Sequence, residues 1–97
     1  MPGVVFSAGR SFSTQFFLIK VIENGLGLNR FGIIVSKKID KRAVARNRIK
    51  RLISSCIEEL YKDMGFGYDM LFIVKRSALG KTREEFLEAM KDIFRKV

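Results

Sequence analysis

An α+β fold, with a mixed four-stranded sheet packed against helices as a sandwich, follows from three features of the sequence. Stretches rich in β-formers occur around Phe12 and at residues 15–22, 30–36 and 68–75. Two long helical patterns occur, one between the third and fourth strands and one after the fourth. A strand, a helix and a strand in succession imply a parallel pair, whereas the earlier strands are close enough to form an antiparallel hairpin. The sheet is therefore mixed. Ninety-seven residues, 47% of them apolar, suffice for one domain with a modest core.

In chain order, residues 4–9 end at Gly9, a helix stop or turn. Gln15-Phe16-Phe17-Leu18-Ile19-Lys20-Val21-Ile22 reads as a strand on which residues 16, 18 and 20 share one face and 17, 19 and 21 the other. Asn24-Gly25 is a strong turn signal, and Arg30 to Ser36 is expected to return as the second strand of a hairpin. A helix is expected over about 42–62, its apolar residues Ala45, Ile49, Leu52, Ile53, Cys56, Ile57 and Leu60 recurring at i, i+3, i+4. Gly65 and Gly67 mark its exit. Tyr68 to Lys75 is too apolar for a half-exposed strand and should lie centrally in the sheet. Thr82-Arg83-Glu84-Glu85 is a capping box opening a last helix, whose Phe86, Met90, Ile93 and Val97 repeat at helical spacing and belong to the core.

The chemistry concentrates in residues 37–51, Lys37-Lys38-Ile39-Asp40-Lys41-Arg42-Ala43-Val44-Ala45-Arg46-Asn47-Arg48-Ile49-Lys50-Arg51. Eight of these fifteen positions are Lys or Arg and only Asp40 opposes them, so the stretch carries +7 of the chain's +9. A cluster this dense repels itself unless a polyanion neutralises it. A nucleic acid backbone does so and gains affinity from the counterions it releases. On the helix, Asn47, Arg48, Lys50 and Arg51 project away from the apolar arc and Arg46 lies at its edge. Charge runs are usually solvated faces laced with i, i+4 pairs. Here no acid follows until Glu58 and Glu59, so a binding face is the better reading.

Ser36-Lys37-Lys38, followed by Ala43-Val44-Ala45-Arg46-Asn47-Arg48-Ile49-Lys50-Arg51 and preceded by the strand Arg30-Phe31-Gly32-Ile33-Ile34-Val35, resembles the signature of the bacterial ribonuclease P protein family. The resemblance extends loosely from Val5-Phe6 to the last helix. It implies a non-catalytic protein subunit that binds the catalytic RNA and the single-stranded 5′ leader of precursor tRNA, with Mg²⁺ held by the RNA subunit and substrate. Carried over by position, Arg46, Asn47, Arg48, Lys50 and Arg51 form the RNA-contacting helix face, flanked by Lys41 and Arg42, while Lys37 and Lys38 border the leader cleft. Phe6 matches a family aromatic of the first helix. Lys20 stands where the family tends to place a cleft aromatic, and Phe16, on the same face, is either its substitute or core. The family also has a basic segment and a further aromatic ahead of the Phe6 position, so the first helix here is expected to be short. A general rule makes a strand-helix-strand crossover right-handed; the resemblance implies a left-handed one.

Other functions find little support. The chain has no histidine and one cysteine, which excludes His-based catalysis and leaves no zinc site. Glu58-Glu59 and Glu84-Glu85 are explained by a solvated face and a helix start, so a freestanding Mg²⁺ nuclease is disfavoured. Cys56 falls on the apolar arc as a small hydrophobe, in keeping with a reducing cytosol. No signal peptide or membrane span is read, and no aromatic anchors accompany the basic patch, so a cytoplasmic chain without a membrane partner is expected, monomeric within a ribonucleoprotein. A general RNA-binding module, such as a small ribosomal protein, is the alternative that the basic helix alone permits.

Overall fold

The computed structural model describes residues 9–97. Strands β1 (Arg10–Ser13), β2 (Phe17–Glu23) and β3 (Arg30–Ile34) precede helix α1 (Ala43–Leu60); strand β4 (Tyr68–Val74) and helix α2 (Arg83–Lys96) follow. The sheet order is β1-β2-β4-β3, with β2 antiparallel to both β1 and β4, and β3 parallel to β4. The mixed four-stranded sheet, the parallel β3-α1-β4 unit and the central place of β4 all match the sequence expectations.

The hairpin between the second and third strands does not form. β4 lies between β2 and β3, so the two never pair. Residues 24–29 are tied to the start of β4: Asn24 N–H donates to the Gly67 carbonyl at 2.8 Å, Asn24 Nδ2 to Asp69 Oδ1 at 2.9 Å, and Tyr68 N–H to Asn29 Oδ1 at 2.9 Å. Placing the most apolar strand between two others pairs both of its edges and buries the face with Met70, Phe72 and Val74 while half-covering Leu71 and Ile73, a gain larger than a local turn preference. The third strand also stops at Ile34, short of the expected Ser36, and α1 ends at Leu60 before a 3-10 turn over Tyr61–Asp63.

One face of the sheet, with Phe17, Ile19, Val21, Met70, Phe72 and Val74, is buried in a single core with the stripes of both helices. From α1 come Ile49, Ile53, Cys56, Ile57 and Leu60, and from α2 Phe86, Met90, Ile93 and Phe94. Phe17 meets Phe86 edge-on with ring centroids 5.2 Å apart, and Phe31 stacks on Phe94 at 6.4 Å. The capping box of α2 is present, with Thr82 accepting from the Glu85 amide and Glu85 from the Thr82 amide. Cys56 is fully buried.

Phe16 belongs to this core and is only 2% exposed, its ring 5.4 Å from that of Phe86. It cannot offer a stacking face in a cleft. The alternation of β2 begins at Phe17, and Phe16 precedes it in a turn where Thr14 Oγ1 accepts the amides of both Phe16 and Phe17. That turn sends two consecutive aromatics inward.

Candidate nucleic-acid interface

Helix α1 carries its charges in the order that least favours a helix. A helix N-terminus is partially positive and attracts acids, whereas its C-terminus attracts bases, each well-placed charge contributing about 0.3–1 kcal/mol. α2 obeys, with Glu84 and Glu85 in its first turn and Arg95 and Lys96 in its last. α1 has no acid in its first turn, no base in its last and no side-chain cap on its N-terminal amides. Lys41, Arg42, Arg46 and Arg48 crowd the positive end, while Glu58 and Glu59 occupy the negative end. Its hold in the fold comes from the buried stripe, from Arg83, which donates to Ser55 Oγ at 2.8 Å and to Glu59 at 2.8 Å, and from the loop that precedes it. A phosphate at the first turn would answer the free amides, the dipole and the clustered bases together.

The basic residues divide by what they touch. Lys37, Lys38, Lys41, Asn47, Arg48, Lys50 and Arg51 are exposed, and among the described residues their side chains have no protein partner. At about 100° per residue, Asn47 and Arg51 point directly away from the buried stripe, with Arg48 and Lys50 on either flank. Arg42 is engaged instead. Its guanidinium forks onto Asp40 at 3.1 and 2.8 Å, and its amide donates to the same carboxylate at 2.9 Å. These bonds, above all the side-chain fork, hold the Asp40 carboxyl well below its usual range, to about 2. Arg46 is half-buried and donates through Nη1 to the carbonyls of Asp40 and Lys41 at 3.0 and 2.8 Å, closing the loop against the helix. These two of the expected RNA-facing residues are therefore already spent on building the loop.

The other face of the sheet is partly open and carries Leu18, Lys20, Ile22, Leu71, Ile73 and Ile34. Leu18, Ile73 and Ile34 form one row across three strands, and Lys20, Leu71 and Gly32 the next. Two residues along a strand advance about 7 Å, so Lys20 lies one row from the sheet end where the Lys37–Lys38 turn rises. The expected Phe6 wall lies outside the described residues, and Phe16 is absent from this face, so the side chains beside Lys20 are Leu18, Ile22 and Leu71, with Ser11 opposite it on β1.

Sequence reasoning overlooked Arg76, whose Nη2 donates to the Lys38 carbonyl at 2.9 Å. A signal was present. Ser36-Lys37-Lys38 and Lys75-Arg76 each follow a strand, and a parallel β3–β4 pair brings both strand ends to one edge. Among the described residues no three His, Cys, Asp or Glu side chains gather as a metal site, and no helix is long and apolar enough to cross a membrane.

Comparison with known proteins agrees with this arrangement. The family model described as Ribonuclease P matches residues 3–97. A ribonuclease P protein component of Clostridium botulinum (strain Loch Maree / Type A3) is 37% identical over 93 residues, covering 95% of this chain and 83% of the relative. That of Thermoanaerobacter sp. (strain X514) is 38% identical over 93 residues, covering 96% and 76%. The RNase P protein from Thermotoga maritima superposes with a TM-score of 0.86 at 20% identity over 97% of this chain and 88% of that one. The Staphylococcus aureus RNase P protein gives 0.82 at 24% identity over 97% and 85%. By its basic helix, its mixed sheet and these matches, the chain belongs to the ribonuclease P protein family.

Proposed function

We propose that the chain, as the protein component of ribonuclease P, grips the catalytic RNA with α1 and the Lys37–Lys38 turn and receives the 5′ leader of precursor tRNA on the open sheet face. The observation that carries this reading is the inverted charge order of α1, which costs the free protein stability and is relieved by a polyanion. Lys20 then meets a leader phosphate while Leu18, Ile22, Leu71 and Ile73 offer an apolar floor to unstacked bases. Cleavage belongs to the RNA subunit, with Mg²⁺ held by that RNA and the substrate, since the chain has no histidine and no clustered acids among its described residues. The protein acts as a monomer within the ribonucleoprotein, in the cytoplasm.

The test is precursor-tRNA cleavage with catalytic RNA alone, protein alone, and both. Protein alone should be inert at any Mg²⁺ concentration, and the mixture should outperform RNA alone at low Mg²⁺. Lys20→Ala should weaken binding of leader-bearing substrate while sparing mature tRNA. Protein-only cleavage that survives purification and disappears with one carboxylate substitution would overturn the reading.

A further inference from the structure

The basic surface is built from parts of different stiffness. Asn47, Arg48, Lys50 and Arg51 ride on helix backbone, whereas Lys37 and Lys38 sit in the loop between β3 and α1. That loop closes on itself through Lys38 N–H to Ser36 Oγ and Ile39 N–H to the Ser36 carbonyl, both at 3.0 Å. Neither bond ties it to the sheet. The far side of the loop is held by Ile39, packed against the core, and by Arg46 on the Asp40 and Lys41 carbonyls. The hydrogen bond that reaches the lysines themselves comes from 38 residues away, where Arg76 Nη2 meets the Lys38 carbonyl at 2.9 Å.

Arg76 stands on a rooted base. It opens a 3-10 turn, Arg76–Ala78, and Ala78 is fully buried. On one side Lys75 donates through Nζ to Ser13 Oγ and the Thr14 carbonyl, each at 2.7 Å, and through its amide to the Phe16 carbonyl at 2.8 Å. On the other, Ser77 Oγ donates to the Gln15 carbonyl. The corner after β4 is thus bonded to the β1–β2 turn through its neighbours and to the lysine turn through Arg76.

We infer that Arg76 is a positioning residue for RNA binding: its guanidinium fixes the Lys37–Lys38 turn so that both ammonium groups present one surface with α1. The Lys38 carbonyl lies just past the two lysines, in the Lys38–Ile39 peptide, and its capture orders the backbone that carries them. An unheld loop would have to be ordered at the moment of binding, and that lost freedom would subtract from affinity. Preforming it moves the cost into folding. The inference rests on the reading that this turn meets RNA, and its test separates the two.

The test joins a measurement on free protein with a double-mutant cycle on the catalytic RNA. In Arg76→Ala, amide order parameters at Lys37, Lys38 and Ile39 should fall from about 0.85 towards 0.6, while those of β4 stay unchanged. Unchanged values at all three overturn the clamp, whatever RNA does. On RNA, Arg76→Ala should weaken binding and flatten the salt dependence in the wild-type background, yet add nothing to Lys37→Ala/Lys38→Ala. An equal, additive loss in both backgrounds, a slope change of about 0.7–0.9 each time, would make Arg76 a phosphate contact in its own right and overturn the positioning role. If Lys37→Ala/Lys38→Ala itself leaves affinity and slope untouched, the turn has no place in the interface, and the functional half of the inference falls with it.

Discussion

Placing an acid in the first turn of α1 should move stability and RNA binding in opposite directions. Val44 is the natural site, being 77% exposed in a first turn that lacks any acid. In Val44→Glu the new carboxylate meets the positive end of the helix, worth about 0.3–1 kcal/mol. It also stands four residues before Arg48 in the favourable orientation, adding about 0.2–0.5 kcal/mol. Replacing an exposed β-branched side chain contributes a few tenths more. The sum is about 0.7–2 kcal/mol of stabilisation, which at about 4–8 °C per kcal/mol raises Tm by several degrees or more. The same carboxylate faces the approaching phosphate and occupies Arg48, so the log-log salt dependence of binding to the catalytic RNA should lose about one contact, a slope change of roughly 0.7–0.9. Thermal melts and binding titrations at several salt concentrations read the two effects separately. A melt that does not rise would discard the argument from the helix dipole. A stabilised variant with wild-type affinity and slope would show that RNA does not meet the first half of α1.

Three further outcomes follow from the residues already placed. Phe16→Ala should cost about 3–5 kcal/mol of stability as a core truncation and weaken binding of leader-bearing and mature tRNA alike; a stable variant with a selective leader defect would return Phe16 to a cleft. Arg46→Ala should cost about 0.5–1.5 kcal/mol through its lost carbonyl bonds, whereas Arg48→Ala should stay within about 0.5 kcal/mol in melts yet flatten the salt dependence; equal melting losses would contradict the division between loop-building and RNA-facing arginines. The Asp40 carboxyl is lowered from 3.8 to about 2 by Arg42, so its contribution is present above pH 3.8 and lost as pH falls towards 2. The gap in Tm between wild type and Asp40→Asn should accordingly hold steady above about pH 5 and close on acidification through that window; a gap that widens with acid would reverse the assigned sign.

Features dictated by local chemistry were legible in the sequence. The stripe of α1, the burial of Cys56, the capping box at Thr82 and the central position of Tyr68–Val74 each rest on a pattern spanning a few residues. Strand pairing does not. Asn24-Gly25 favours a turn, but which strand lies beside β2 is decided by how much apolar surface β4 hides in the middle, a comparison between segments far apart in the chain. In the sequence Phe16 falls on the face of Lys20, with cleft and core both left open, because alternation is extended one residue beyond the strand, into a turn that Thr14 organises and that settles it in the core. The basic cluster was visible as charge, yet nothing local distinguishes Arg46, turned onto carbonyls, from Arg48, turned to solvent. The difference arises from where the loop folds back.

The placement of charge along α1 also governs how the protein arrives at its partner. The helix is about 27 Å long at 1.5 Å per residue, more than three screening lengths of roughly 8 Å in physiological salt. Its basic and acidic ends are therefore felt as separate poles, and an approaching polyanion turns the molecule basic end first before any contact is made. Encounter is oriented during diffusion, so association should quicken sharply as ionic strength falls, by factors of 10 to 1,000 for steering of this kind. Dissociation depends instead on the contacts formed after docking. An apolar substitution at Glu58 would leave the basic end intact and raise the net attraction, so encounters should become more frequent yet less selectively oriented, because it removes part of the pole that keeps the wrong end away.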